Sequence, residues 1–188
     1  MLHTKYLFMA NNQLNLAYLI RQVFFVLLLL MTSTIYGQNI SKHYTSSLQE
    51  KGTLYFILPQ SGFENKNIKS NLVYDITYST KNDTVIFNFS YFDKMKRTLD
   101  SVALVNVNKR FSSIAKKIFI ETKKSEWHYR YSSKFLFTNI NIFFNQPGNP
   151  KIILYTEQGM VELKIKTKIW KKQSSVTKKI LTLIKYNQ

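Results

Sequence analysis

Residues 72–91 read LVYDITYSTKNDTVIFNFSY, and this stretch decides the fold class. In both halves a large apolar or aromatic side chain stands at every second position, which is the period of a strand with one buried face. A polar loop at residues 80–83 joins the two runs, and a short Asn/Asp loop between alternating runs is typical of a β-hairpin. We therefore predict two antiparallel strands that bury the face carrying Val85, Phe87 and Phe89.

Further short runs of strand-forming residues lie on both sides of this hairpin. Polar or Gly/Pro-containing turns separate them, and a second hairpin is predicted around Gln158-Gly159. The pattern predicts an all-β fold of mainly antiparallel strands, either a sandwich or a partly closed barrel of about eight strands. The other predicted strands are residues 53–58, 102–107, 118–121, 126–131, 135–144, 152–156 and 160–170.

Two segments depart from a clear strand pattern. Apolar residues within 111–118 follow the i, i+3, i+4, i+7 spacing of a helix, so one short helix is predicted near residues 109–117. Residues 176–186 at the C-terminus fit both periods. Their β-branched content favours a strand, and a helix stays open as the alternative.

An apolar run at residues 23–31, VFFVLLLLM, precedes the strand-rich part. It is too short for a membrane-spanning helix, which needs about 20 residues, but it suits a secretory signal with Arg21 as the adjacent charge. Gly37 is a small residue at a suitable cleavage point, and Tyr36-Gly37-Gln38 resembles the ends of export signals in Bacteroidetes-type bacteria. We predict a signal peptide at residues 1–37, or an uncleaved anchor, then a polar tail at 38–51 and one domain at 52–188. The expected location is the periplasm or outer surface of a Gram-negative bacterium.

The chain contains no cysteine and three histidines among 188 residues. Disulfides, thiol nucleophiles and thiolate metal sites are therefore excluded, and we expect no metal ion or other cofactor. The sequence also lacks the motifs of serine hydrolases, zinc proteases, P-loops and dinucleotide-binding folds. A hydrolytic carboxylate pair stays open, drawn from Asp75, Asp93, Asp100, Glu121 and Glu157.

The formal net charge of +17 favours anionic partners, namely phospholipid headgroups or acidic glycans. Only four of the 27 basic residues are arginine, the better bidentate phosphate reader, so specific nucleic-acid binding is not expected. A ladder of alternate lysines on the predicted strand 160–170, with a tryptophan beside it as a stacking platform, is the candidate anionic-surface site. The alternative is a solvated strand face that lysines protect from aggregation. The candidate residues are Lys164, Lys166, Lys168, Trp170, Lys171 and Lys172.

The predicted strand at residues 126–131 has an aromatic face and a polar face. Because the second face is polar, we expect the aromatic face to lie in the core rather than to stack on sugars or bases. His128 stands between an acid and a base, as a general base can, but without a partner motif we expect a surface residue. The two faces are Trp127, Tyr129, Tyr131 and Glu126, His128, Arg130.

These features favour an exported envelope protein that is non-enzymatic and acts by binding or as a structural accessory. One alternative is a carrier of an apolar ligand such as a lipid in a barrel-like cavity, because Phe, Tyr and Leu are more abundant than one thin core needs. A second alternative is an envelope hydrolase that uses a carboxylate pair.

Overall fold

A computed structural model describes residues 21–25 and 40–186. Residues 21–25 are helical with exposed side chains. Most of the predicted signal, including its cleavage point after Gly37, lies outside the described residues. Within those residues, no helix is long and apolar enough to cross a membrane. The sheet lies in the second of two units of the chain, residues 43–188.

The second unit is built on one antiparallel sheet of ten strands. Nine of them pair in the order β6-β5-β9-β10-β2-β3-β4-β8-β7 and curl into a half-barrel, while β1 pairs with β2 beside this path. The all-β, partly closed barrel predicted from the sequence is therefore confirmed. The strands are β1 (Tyr44–Gln49), β2 (Gly52–Asn65), β3 (Ser70–Ser79), β4 (Thr84–Asp93), β5 (Leu99–Asn106), β6 (Lys109–Ile114), β7 (Lys116–Lys123), β8 (Glu126–Leu136), β9 (Lys151–Thr156) and β10 (Gly159–Ile165).

The hairpin predicted from residues 72–91 is confirmed as β3 and β4. Tyr74 pairs with Phe89 across the two strands, so the alternating residues of both fall on the same side of the sheet. Val85, Phe87 and Phe89 are fully buried on that side, which we call the inner face. Because the period of a strand is two, this register sends every other residue to the outer face.

The helix predicted near residues 109–117 is wrong. This segment forms β6 and β7, joined at Ala115, where the Ala115 amide donates to the Asp100 carbonyl at 2.9 Å. The Ser133 hydroxyl of β8 donates to the Ile114 carbonyl at 3.0 Å, so the two edges of the sheet meet at this corner. Continuous pairing with β5 and β8 outweighs a helical period that only four apolar residues supported.

Two helices cover the inner face, α1 (Phe137–Asn145) and α2 (Thr167–Tyr186). The strand predicted at residues 135–144 therefore ends at Leu136, and the preference for a strand at residues 176–186 is wrong. The second arm of the second hairpin is also shorter than predicted, since β10 ends at Ile165. The buried positions of α2 recur at the period of a helix, but polar residues occupy two of them and hide the apolar pattern. They are Trp170, Gln173, Thr177, Ile180, Leu181 and Ile184.

The polar tail predicted at residues 38–51 contains regular structure within its described residues. A single 3-10 turn, Ser41–His43, leads into β1, which pairs with the first half of β2. All but the first residue of β1 are exposed, which is why its sequence looks like a tail. The strand is held by main-chain hydrogen bonds rather than by burial.

Aromatic side chains fill the space between the sheet and the two helices. Tyr74 stacks on Phe87 with ring centroids 5.1 Å apart, and Phe144 of α1 stacks on Trp170 of α2 at 5.3 Å. The inner face is therefore a packed core of rings from sheet and helices. This core fixes α2 against the sheet and leaves its opposite side in solvent.

Candidate functional site

The predicted lysine ladder is interrupted because β10 ends before it is complete. Lys164 is on the strand, Lys166 lies in the connection, and Lys168 is already in α2. The three lysines therefore do not occupy alternate positions of one strand, and the predicted ladder geometry is wrong. The lysines of the candidate site still lie close together in the chain, at the end of β10, in the connection and in the first turns of α2.

Trp170 is not a stacking platform for a ligand. It is 3% exposed, and its ring contacts Phe63 of β2 together with Phe143 and Phe144 of α1. The helical turn points it inwards, whereas a strand would have placed it beside the lysines. Trp170 is a core residue that anchors the first half of α2.

The solvent side of α2 is a continuous basic surface. The helix contains six lysines and no acidic residue, and all six are exposed. Their spacing distributes them along the whole helix length, opposite the buried positions. We call this surface the α2 lysine face; it consists of Lys168, Lys171, Lys172, Lys178, Lys179 and Lys185.

The charges at the start of α2 oppose the stability of the helix. Lys168 lies three and four residues from Lys171 and Lys172, and each such like-charge pair costs about 0.2–0.5 kcal/mol. The first turn of a helix also favours negative charge, and here it contains none. A bound anion would relieve both effects, so this arrangement is better suited to a partner than to the isolated chain.

Lys164 has an acidic neighbour. Glu162 lies 2.6 Å from the ammonium of Lys151 and 3.2 Å from that of Lys164. The hydrogen bond from Lys151 is the main cause that holds the pKa of Glu162 below its usual value, and Lys164 adds to it. Lys164 is therefore partly neutralised and contributes less to an anionic site.

Replacing Glu162 by glutamine should lower the free energy of unfolding by less than about 1 kcal/mol at pH 7, because the pair is partly exposed. A lowered pKa in the folded state stabilises above the unfolded value of about 4.3 and is lost as the pH falls through the folded value. Urea titrations of both proteins at pH 7 and pH 3 should show the difference shrinking at pH 3. An equal difference at both pH values would rule out this linkage.

A buried glutamine of α2 forms hydrogen bonds at the point where one edge of β2 changes its pairing partner from β1 to β10. We call this point the fork in β2. Residues 52–57 of β2 pair with β1, and residues 63–64 pair with β10, so the middle of β2 faces α2. Gln173 donates to the Ser61 carbonyl there and accepts from the Tyr74 hydroxyl at 3.4 Å. Burial raises the pKa of the Tyr74 phenol. Polar contacts on the buried side of α2, together with packing, thus fix the orientation of the α2 lysine face.

The other candidate residues, on β8, pack in the core or contact neighbouring side chains of the protein. Tyr129 and Tyr131 are buried, as expected for a core face, and Trp127 is half-buried under the ammonium of Lys96, 5.1 Å from the ring centroid. On the other face, His128 Nδ1 lies 2.9 Å from a carboxylate oxygen of Glu121. The His128 ring stacks on Phe92 at 4.5 Å, so it is more enclosed than the expected surface histidine.

Two of the candidate carboxylates, Asp75 and Asp93, lie on opposite faces of the sheet. Asp75 points to the outer face, where it pairs with Arg130, whereas Asp93 is buried on the inner face with Arg97. Asp75 pairs in register with Asn88, five residues before Asp93, and an odd separation on a strand puts the two on opposite faces. Nor do three or more of the described His, Asp and Glu residues group as a metal site would require.

Comparisons with protein-family models, with curated proteins and with solved structures find no match. The function of this chain is therefore inferred from its own geometry. Its main feature is a half-barrel that presents one lysine-covered helix. The lysines are visible in the sequence. Their position on one side of a helix could have been predicted only from the helical period of α2, which the buried polar residues Gln173 and Thr177 obscure.

Proposed function

We propose that this chain is an exported, non-enzymatic protein of the bacterial envelope that binds anionic surfaces through the α2 lysine face. The observation that carries the proposal is that six exposed lysines, with no acid on the same helix, lie opposite a side that is locked into the core. A surface of this kind attracts anionic headgroups without needing to reorganise. Phospholipid is the partner class we favour, because each lysine near an anionic bilayer contributes about 1 kcal/mol of attraction.

Export is supported by the apolar run at residues 23–31 with Arg21 before it. It would bring the chain into contact with the anionic lipids and glycans of the envelope. Fractionation should recover the protein from the envelope, with Gln38 as its first residue if the signal is cleaved. A cytosolic protein with an intact N-terminus would remove the envelope part of the proposal.

The filled inner face is the reason to prefer surface binding over a carrier of apolar ligands. Phe144 and Trp170 occupy the volume between sheet and helices that a lipid chain would need. A carrier would have to displace α1 and α2 and expose their aromatic side chains. The separated carboxylates Asp75 and Asp93 likewise give no support to a hydrolase with a carboxylate pair.

Sedimentation with vesicles tests the proposal. The full chain should bind phosphatidylglycerol-containing vesicles and not pure phosphatidylcholine, and binding should weaken steeply with salt. Changing four α2 lysines to glutamine should weaken binding by about tenfold to a hundredfold, allowing for incomplete contact of each lysine. The four are Lys168, Lys171, Lys172 and Lys178.

A matched control removes the same charge from strands β7 and β8 instead of α2. Its four substitutions to glutamine are at exposed lysines of β7 and β8, and we expect a much smaller loss of binding. If both variants lose the same affinity, net charge rather than the α2 lysine face is responsible. The control positions are Lys116, Lys117, Lys123 and Lys134.

A further inference from the structure

An open recess of about 460 Å³ lies where α2 crosses the fork in β2. Part of β2 forms its floor and one side of α2 forms its wall. We call it the β2 recess; its lining residues are His43, Gln60, Ser61, Gly62, Lys168, Ile169, Lys172, Gln173 and Val176. Its volume falls within the roughly 300–1,000 Å³ of typical small-ligand sites.

We propose that the β2 recess binds the phosphate group of an anionic lipid headgroup or of a free phosphate ester. This deepens the function proposed above and rests on it, since it gives the α2 lysine face a specific subsite. Two positively charged lysines lie on its wall, and none of its lining residues is acidic. Lysine is an effective point-charge ligand for phosphate.

The two lysines of the recess act together because of helix geometry. Lys168 and Lys172 are four residues apart, so their side chains emerge from the same side of α2, about 5–6 Å apart at Cβ. Among the described residues, neither has an acidic partner within ion-pair distance. An anionic phosphate between them would turn the repulsion of the two ammonium groups into two attractions.

The floor of the recess is fixed before any ligand arrives. Gly62 has a φ of +122°, and a side chain there would come within 3.1 Å of Ile169, so α2 sits directly against the glycine. The Ser61 carbonyl, which would repel an anion, is already occupied by the Gln173 amide. The Ser61 carbonyl is therefore not free to repel an anion, and the ligand would meet the lysines of the recess.

The recess also has an apolar side that bare phosphate would not need. Ile169 and Val176 lie on the same wall as the lysines, and Ile169 is 36% exposed. The carbon atoms next to a phosphate ester would pack against them. This combination matches a glycerophosphate-like group better than a carboxylate or a sugar without charge.

The experiment blocks the recess without changing its charge. In Val176→Phe an aromatic ring fills the volume, and Leu183→Phe, further along the same helix and outside the recess, is the matched control. The probes are inorganic phosphate, dihexanoylphosphatidylglycerol below its micelle concentration, and dihexanoylphosphatidylcholine as the neutral comparison. Amide chemical shifts of the full chain report the position and affinity of each probe.

We expect saturable binding of the anionic lipid, with shifts centred on Ser61, Gly62 and Lys172. Val176→Phe should weaken it at least tenfold, and Leu183→Phe should not. Lys168→Gln with Lys172→Gln provides a second variant that leaves the packing intact, and it should weaken binding similarly. Equal binding of inorganic phosphate would identify a free phosphate ester as the source, and a clear gain for the lipid would identify the headgroup.

The proposal is overturned if neither anionic probe shifts the recess amides, or if Val176→Phe and the double lysine variant bind as well as the unmodified chain. Failure of the β2 recess and failure of the α2 lysine face give different results. If Val176→Phe still sediments with phosphatidylglycerol vesicles while the soluble probes fail, the recess is excluded and the α2 lysine face stands. If the unmodified chain does not bind the vesicles, the function proposed above is excluded, and the recess proposal loses its basis with it.

Discussion

Replacing Trp170 by alanine is expected to lower the free energy of unfolding by about 3–5 kcal/mol, the usual cost of removing a large buried aromatic side chain. Trp170 is 3% exposed and joins three elements, because its ring contacts Phe63 of β2 and two phenylalanines of α1. The substitution would leave a cavity at the centre of the sheet–helix contact. Urea titration followed by circular dichroism measures the change.

Tyr186→Ala is the control for this experiment, since Tyr186 is in the same helix but 87% exposed. It should change the free energy of unfolding by no more than about 0.5 kcal/mol. A cost below about 1 kcal/mol for Trp170→Ala would show that α2 does not pack on the inner face as described. The lysine face would then lose the support that orients it.

Replacing Asp93 by alanine should cost a similar 3–5 kcal/mol, because it breaks a buried ion pair and leaves a charge without its partner. The Asp93 side chain is 1% exposed and accepts from Arg97 Nε at 2.7 Å, from the Met95 amide at 2.9 Å and from the Tyr91 hydroxyl. Burial, together with the bond to Asp93, raises the pKa of Tyr91, so the phenol stays a donor at neutral pH. Urea titration again gives the change.

The same cluster holds the turn between β4 and β5. Tyr129 of β8 donates to the Met95 carbonyl at 2.9 Å and accepts from the Arg97 amide at 2.7 Å. Asp93→Ala should therefore also speed hydrogen exchange at the Met95 and Arg97 amides. Asp100→Ala, an exposed acid on β5, removes the same charge and should cost no more than about 0.5 kcal/mol. Equal costs for the two variants would assign the effect to net charge rather than to the cluster.

The sheet could be predicted from the sequence because its central strands alternate over long runs. In β3 and β4 every second residue is buried, and the register between them follows from the short loop at residues 80–83. The edge strands could not be predicted in the same way. In β7 all residues but one are exposed, so burial leaves almost no imprint on the pattern, and only pairing with β8 holds the strand.

Helix α1 and the first half of α2 were missed for a different reason, and a helix at residues 176–186 was only the alternative. In α1 the residues are mostly β-branched or aromatic, types common in strands, yet its buried positions recur at helical spacing. In α2 two buried positions are polar, since Gln173 and Thr177 face the sheet. Gln173 is there because the fork in β2 leaves a carbonyl to be satisfied. The sequence cannot reveal that need before the topology of the sheet is known.

The candidate site was therefore predicted in composition but not in shape. The basic character of residues 164–172 is visible in the sequence, whereas their distribution over a strand end and a helix is not. Turning the segment into a helix buries Trp170 and adds Lys178, Lys179 and Lys185 to the same surface. The binding surface is thus longer than the ladder and lacks its aromatic platform.

Site-specific labelling tests the central claim, that the α2 lysine face is the surface that meets an anionic partner. Because the natural chain has no cysteine, a single Ser175→Cys, exposed between the lysines of α2, can carry an environment-sensitive dye such as acrylodan. Thr122→Cys, exposed on β7, provides the comparison. With phosphatidylglycerol vesicles at low salt, the dye at position 175 should shift to the blue and the dye at position 122 should not. A shift at position 122 without one at position 175 would contradict the account.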